Sequence, residues 1–190
     1  MEIRELKPRK ALNKAFLKVK PNRTEIEGFK TNLITLLERT NETESEEFHK
    51  NLISDFLKDT YYKQNHFINT KGRNDLVIHN GQNANSTVGV IIEAKKPTNK
   101  AEMITTQKLN AKAFQEMVLY YLRERITLKN LEVKHLVATN INEWFIFDEH
   151  LLNDFLLKTN RLLNNLKTLK PARKQQMFFT MKLPSRLLPI

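Results

Sequence analysis

An acid at the head of one apolar run and an acid–x–lysine at the end of the next are the residues of this sequence best placed to do chemistry. Asp75 precedes Leu76-Val77-Ile78, and the run Val88-Gly89-Val90-Ile91-Ile92 closes on Glu93-Ala94-Lys95. Both runs suit buried strands. Along an extended strand Glu93 and Lys95 project to one face and Ala94 to the other. If the two strands pair, Asp75 and Glu93 converge, with the Ala94 carbonyl beside them. Such oxygen ligands suit magnesium, a hard cation that keeps several waters and takes one or two carboxylates plus phosphate oxygens. Lys95 would then stand next to a bound water and a phosphate under attack. The competing reading is a surface ion pair worth ~0–1 kcal/mol. Lys95-Lys96-Pro97 ends the second strand abruptly, which sets the charges at the carboxyl edge of a sheet, where α/β proteins tend to build their sites.

Asp75, a gap of seventeen residues and Glu93-x-Lys95 resemble the signature of the PD-(D/E)XK nucleases. Four segments, KGRNDLVIHNG (Lys71–Gly81), VGVIIEAKKPTNKAEM (Val88–Met103), LNAKAFQEMVLYYLRERI (Leu109–Ile126) and HLVATNINEWFIFD (His135–Asp148), resemble in order the N-terminal endonuclease region of single-chain restriction-modification enzymes of the type IIG sort. The likeness covers roughly residues 22–172. Asn74 stands where the signature often has proline, and Ala94 where such enzymes often have valine. The resemblance implies an α/β, restriction-endonuclease-like fold, a mixed sheet flanked by helices on both faces. It implies Asp75, Glu93 and Lys95 as catalytic residues, with Mg2+ on Asp75, Glu93 and the Ala94 backbone carbonyl. By analogy Glu47, one turn before the apolar part of an early helix, is the glutamate that completes such sites. The substrate implied is double-stranded DNA, held through its phosphates by Lys71, Arg73, Lys96 and Lys100. A methyltransferase and a target-recognition region follow the nuclease part in these enzymes and have no counterpart here, so the chain is expected to bind DNA without choosing a sequence. The alternative is a catalytically inactive DNA-binding or interaction module left by truncation of such an enzyme.

The elements that must position these residues are legible in outline. Thr24-Glu25-Ile26-Glu27 reads as a helix start with Thr24 as cap, followed by the stripe Ile26, Phe29, Leu33, Ile34, Leu36 and Leu37. Thr43 or Ser45 caps a second helix on Phe48, Leu52, Ile53, Phe56 and Leu57. Glu44, Glu46 and Glu47 gather in its first turn, where the helix dipole alone would favour them. Tyr61–Thr70 is expected as a first strand, turned by Lys71-Gly72-Arg73 into the Asp75 strand, with Asn80-Gly81 offering a tight turn after it. A long helix from about Thr106 to Arg125 buries Ala111, Phe114, Met117, Val118, Tyr121 and Leu122. Gln115, Glu116 and Tyr120 lie on a flank that could reach the phosphate, or are plain surface residues. Strands follow at Val133–Thr139 and Trp144–Phe147, with Trp144 in the core.

Composition narrows the class. The 190 residues suffice for one compact core and carry no cysteine, which excludes a disulfide framework and a thiolate zinc site. His49, His66, His79, His135 and His150 are scattered without metal-ligand spacing. No glycine-rich phosphate loop and no Gly-x-Ser-x-Gly elbow is present. No export segment or membrane span is visible, and a cytoplasmic location is expected. The net charge of +11 is concentrated at the ends: residues 1–23 carry +6, residues 155–190 carry +8, and the body between them −3. Basic arms favour a polyanion such as DNA, or simply solubility. The division expected is a basic N-terminal arm over 1–22, a nuclease-like domain over 23–172, and an atypical tail over 173–190. That tail has two prolines after residue 175, no acid and no amphipathic period, and it reads as disordered or as the product of a frameshift that truncated a longer enzyme.

Overall fold

The computed structural model describes residues 8–11, 14–72, 74–150, 152–154 and 156–157. Five strands form one mixed sheet in the order β1 (Ile68–Lys71), β2 (Asn74–His79), β3 (Val88–Ala94), β4 (His135–Thr139) and β5 (Trp144–Asp148). β1, β2 and β3 pair antiparallel, β4 runs parallel to β3, and β5 returns antiparallel to β4. The parallel pair requires a crossover, and α4 (Lys112–Leu122) supplies it.

Alternation along the strands assigns the two faces. Leu76, Ile78, Ile92, Ala94 and Val137 join Leu36, Leu52, Ile53 and Leu57 of α2 (Arg23–Arg39) and α3 (Glu46–Leu57). Val77, Ile91, Leu136 and Ala138 point the other way and join Phe114, Met117 and Tyr121 of α4, with Phe147 and Leu152. The molecule is therefore mixed α/β with helices packed on both faces of the sheet. Before α2 the chain makes two short turns, α1 (Pro8–Ala11) and a 3-10 turn at Phe16–Lys18.

Several local expectations are corrected. Asn22, not Thr24, caps α2: its side chain accepts from Glu25 N while Glu25 accepts from Asn22 N, a reciprocal box that leaves Thr24 inside the helix. The α2 stripe is narrower than its sequence suggests, since Leu36 is buried but Ile26, Ile34 and Leu37 are exposed. The helix packs mainly on α3 and on the turn that follows it. Ser45 caps α3 through Phe48 N. Nothing breaks α3 after Leu57, so it runs on into a π turn, Lys58–Tyr62, and the strand expected from Tyr61 starts only at Ile68. The β2–β3 link is a closed loop rather than a two-residue turn, with Asn80 N donating to Thr87 O at 2.8 Å. α4 begins only at Lys112, after an irregular segment over 97–111 that buries Met103, Ile104 and Leu109 in the core on the α4 face of the sheet. Trp144 lies on the edge strand β5 and stays partly exposed, its indole N–H donating to Ile141 O at 2.9 Å.

Candidate functional site

The hairpin register brings the acids together. Leu76 pairs with Ile92, and one further step sets Asp75 across from Glu93 on the α4 face. Glu93 is buried to 1 % exposure and Lys95 to 3 %, so the pair is not the surface ion pair that the sequence left open. Lys95 carries on the parallel pairing with β4, its backbone N–H donating to Thr139 O at 2.8 Å. That anchor fixes the lysine at the strand's end.

Four elements meet at the Lys95 ammonium and the Asp75 carboxylate. Lys95 Nζ lies 2.5 Å from Glu93 Oε1, 2.9 Å from Glu116 Oε2 of α4 and 3.5 Å from Glu46 Oε1 of α3. Glu46 also accepts from Lys96 N at 3.3 Å. Asp75 Oδ2 accepts from Ala94 N at 3.0 Å, and Lys50 Nζ of α3 stands 4.0 Å from Asp75 Oδ1. Glu93 Oε2 is buried and has no hydrogen-bond partner.

The electrostatics follow from crowding acids in a dry place. Burial, then the neighbouring Asp75 charge, pushes Glu93 up to about 9 against the pull of Lys95. Burial also raises Asp75, although the Ala94 N–H and the charges of Lys95 and Lys50 oppose it. Lys95 is disfavoured by burial, but its hydrogen bonds to Glu93 and Glu116 win and hold the ammonium above the ordinary lysine range. At Glu116 burial is outweighed in the same way, and its carboxyl lies below the usual value through Lys95 and Glu93. Tyr120, facing the group from α4, is pushed up to about 12 by burial and by the surrounding carboxylates. Perturbation of this kind, several groups shifted by one another, occurs at functional sites and in structural ion-pair networks alike.

The expected residues fall into distinct places. Asp75, Glu93, Lys95 and Glu116 come together. Glu47 does not: its side chain is 62 % exposed and pairs with Lys50, while its neighbour Glu46 reaches Lys95. Sequence spacing held the signal for Glu46, which lies three and seven residues before the buried His49 and Ile53 and so shares their helix face. Lys50, four residues on from Glu46, is the other residue the sequence reading missed. Gln115 is exposed and donates to Asn110 Oδ1 at 2.9 Å, away from Lys95. Lys71 is engaged by the buried Glu124, 2.9 Å away, which leaves it less free for a phosphate than expected. Lys96 is half-buried beside the site, Lys100 is exposed, and Arg73 lies outside the described residues, as do residues 1–7 and 12–13 of the basic arm and the whole 173–190 tail.

Among the described residues no group of three or more His, Asp or Glu side chains is arranged to hold a metal ion. Two carboxylates are enough for magnesium, which retains most of its waters. Asp75 and Glu93 meet that requirement, and the unpartnered, buried Glu93 Oε2 is an oxygen for which a cation would supply the missing partner. Among the described residues no helix is long and apolar enough to cross a membrane.

The model of a family described as a domain of unknown function, DUF7149, matches residues 6–185, and the chain belongs to that family. The match takes in most of the basic arm and most of the segment beyond residue 173. No curated protein and no solved structure matches the chain.

Proposed function

We propose that this chain is a magnesium-dependent endonuclease domain that hydrolyses DNA phosphodiester bonds, part or remnant of a restriction-modification enzyme. The observation that carries the reading is the convergence of Asp75, Glu93 and Lys95 at the carboxyl end of β3, with one Glu93 oxygen left unpartnered in a buried place. The strand pattern supports it: an antiparallel β1-β2-β3 unit, a crossover helix and a parallel β4 are what a restriction-endonuclease-like domain needs.

Asp75 and Glu93, with the Ala94 carbonyl, would hold the magnesium ion. When bound, the ion supplies charge relief on the phosphate and a lowered pKa for its water. In hydrolysis a water oxygen bonds to phosphorus and releases one proton to solvent as the bond to one sugar oxygen breaks, and a proton from solvent neutralises the departing alkoxide. The Lys95 ammonium orients the attacking water and offsets negative charge as it develops on the phosphoryl oxygens. Lys96 and Lys100, on the segment leaving β3, bind flanking phosphates. No covalent intermediate is needed.

The test is nicking of a supercoiled plasmid in magnesium. Wild type should convert it to open-circular and linear forms, and Asp75→Ala, Glu93→Ala and Lys95→Ala should not; any one of them cutting at the wild-type rate refutes the assignment. DNA binding without metal should persist in the Glu93 variant and fall steeply with salt. Selection from random duplexes should return no motif. A second reading, an inactive DNA-binding or interaction module, draws on Lys95 already sitting as a cation among Glu93, Glu116 and Glu46. It is favoured if folded wild-type protein leaves the plasmid intact.

A further inference from the structure

The acids around Lys95 outnumber the cations. Glu46, Asp75, Glu93 and Glu116 share this corner with Lys95 and Lys50, and each carboxylate comes from a different element: α3, β2, β3 and α4. An ammonium has three donors, and Lys95 spends them on Glu93 at 2.5 Å, Glu116 at 2.9 Å and Glu46 at 3.5 Å. It therefore sits where a cation shared by several carboxylates would sit.

The partners are not equivalent. Glu93 is 1 % exposed, has Lys95 on one oxygen and receives no donor on the other, and it also neighbours the Glu116 carboxylate. Take Lys95 away and the buried Glu93 carboxyl loses its cation and can ionise only when another cation arrives. Lys95 is in the opposite position. Losing Glu93 still leaves it two carboxylates, on helices from opposite faces of the sheet, and both are more open to solvent than Glu93, with side-chain exposures of 29 % for Glu116 and 41 % for Glu46. The exchange of Lys95 for a divalent cation at Glu93 is thus prepared on both sides.

We propose that Lys95 is the resident cation of this cluster, and that Glu116 and Glu46 are positioning residues onto which its ammonium withdraws when a divalent cation takes Glu93. This rests on the cation reading of Asp75 and Glu93 given above, and it adds what those residues do in the metal-free protein: the lysine and the metal ion compete for one carboxylate, and the helices hold the loser within reach of the phosphate.

Calorimetric titration of the full chain with Mn2+ tests it, using wild type, Lys95→Met, Glu116→Gln and the double variant. Lys95→Met should bind Mn2+ about tenfold more tightly, a coupling of ordinary size between two ligands of one site. Glu116→Gln should weaken binding several-fold in the presence of Lys95 and hardly at all in the Lys95→Met background, because only the lysine needs Glu116. A simple loss of negative charge would weaken both backgrounds equally, and that result overturns the proposal. So does Mn2+ binding to Lys95→Met no tighter than to wild type, although the cation reading then survives. Binding by neither protein overturns both. Should Lys95→Met fail to fold, proton–nitrogen NMR of the lysine ammonium groups decides on the wild type: saturating Mg2+ should move the Lys95 resonance, and in Glu93→Gln it should not. An unmoved wild-type resonance at saturation refutes the exchange.

Discussion

Glu149 and Glu93 are both buried glutamates flanking α4, and their surroundings differ in one respect. Glu149 Oε1 takes the Tyr121 hydroxyl and the Arg125 guanidinium, each at 2.6 Å, while His150 Nδ1 stands 3.5 Å from Oε2. Glu93 has Lys95 on Oε1 and no partner on Oε2. Exposures of 3 % and 1 % make the two equally dry. Glu149 is thus a structural clasp between α4 and the end of β5, with two strong donors on Oε1 and His150 beside Oε2. Glu93 receives no donor on its second oxygen, and burial keeps its carboxyl protonated up to about pH 9, so a bound cation there would take the place of a proton. Both neighbourhoods push a tyrosine upward, Tyr121 and Tyr120 respectively, so perturbation alone does not separate them; the open oxygen does.

The largest effects should separate the two glutamates by stability. Glu149→Ala leaves a buried hydroxyl and a partly buried guanidinium without their acceptor, and urea unfolding should register a loss of about 2–3 kcal/mol. Glu93→Gln replaces a carboxyl that burial keeps protonated up to about pH 9 by a neutral isostere, keeps an acceptor for Lys95, and should unfold at about the same urea concentration as metal-free wild type near neutral pH. Equal losses in both variants would erase the distinction.

Magnesium should sharpen it. At a hundredfold excess over its dissociation constant, a ligand bound only by the native state adds about 2.7 kcal/mol, which raises the melting temperature of wild type. Glu149→Ala should gain as much, Glu93→Gln nothing. A rise in all three would place the ion elsewhere.

The pH dependence of the metal-free protein is a smaller effect with a definite sign. Glu93 has its folded pKa raised from 4.5 to about 9, so its contribution to stability is complete below the first value and is lost as pH climbs through the second. Asp75 is raised and acts in the same direction, whereas the lowered Glu116 stabilises above the ordinary carboxyl range and loses that on acidification. The melting temperature should therefore fall between about pH 5 and pH 9 in wild type, and the fall should flatten in Glu93→Gln. The least effect belongs to Glu47→Ala, expected within about 0.5 kcal/mol and without influence on cleavage, against a measurable loss of activity in Glu46→Ala. Reversal of those two would return Glu47 to the site.

The strands were the most legible part of the chain, because Leu76-Val77-Ile78 and Val88 to Ile92 leave little choice of structure and Lys96-Pro97 ends the second one. Once those runs pair, the alternation of side chains puts Asp75, Glu93 and Lys95 on one face. Helix phase was harder. Glu46 and Glu47 differ by about 100° around α3, and composition gives both the same preference for a first turn; only the buried His49 and Ile53 tell them apart. The cap of α2 is ambiguous in sequence for a related reason, since Asn22–Glu25 and Thr24–Glu27 offer the same spacing and only the preceding Pro21 favours the earlier start. The π turn after α3 had no signal, as its residues, Lys58-Asp59-Thr60-Tyr61-Tyr62, suit helix and strand alike. Burial of the Glu93–Lys95 pair could not be read at all from local sequence: it depends on α3 and α4 meeting at the strand's end from opposite faces of the sheet.

The most direct measurement is plasmid cleavage in magnesium by wild type, Glu93→Gln and Glu149→Ala, assayed together at a temperature where circular dichroism shows all three folded. Wild type and Glu149→Ala should cut at rates within a few-fold of each other, and Glu93→Gln should leave the plasmid supercoiled. Cleavage by Glu93→Gln at the wild-type rate, or an intact plasmid with folded wild type, would contradict the account.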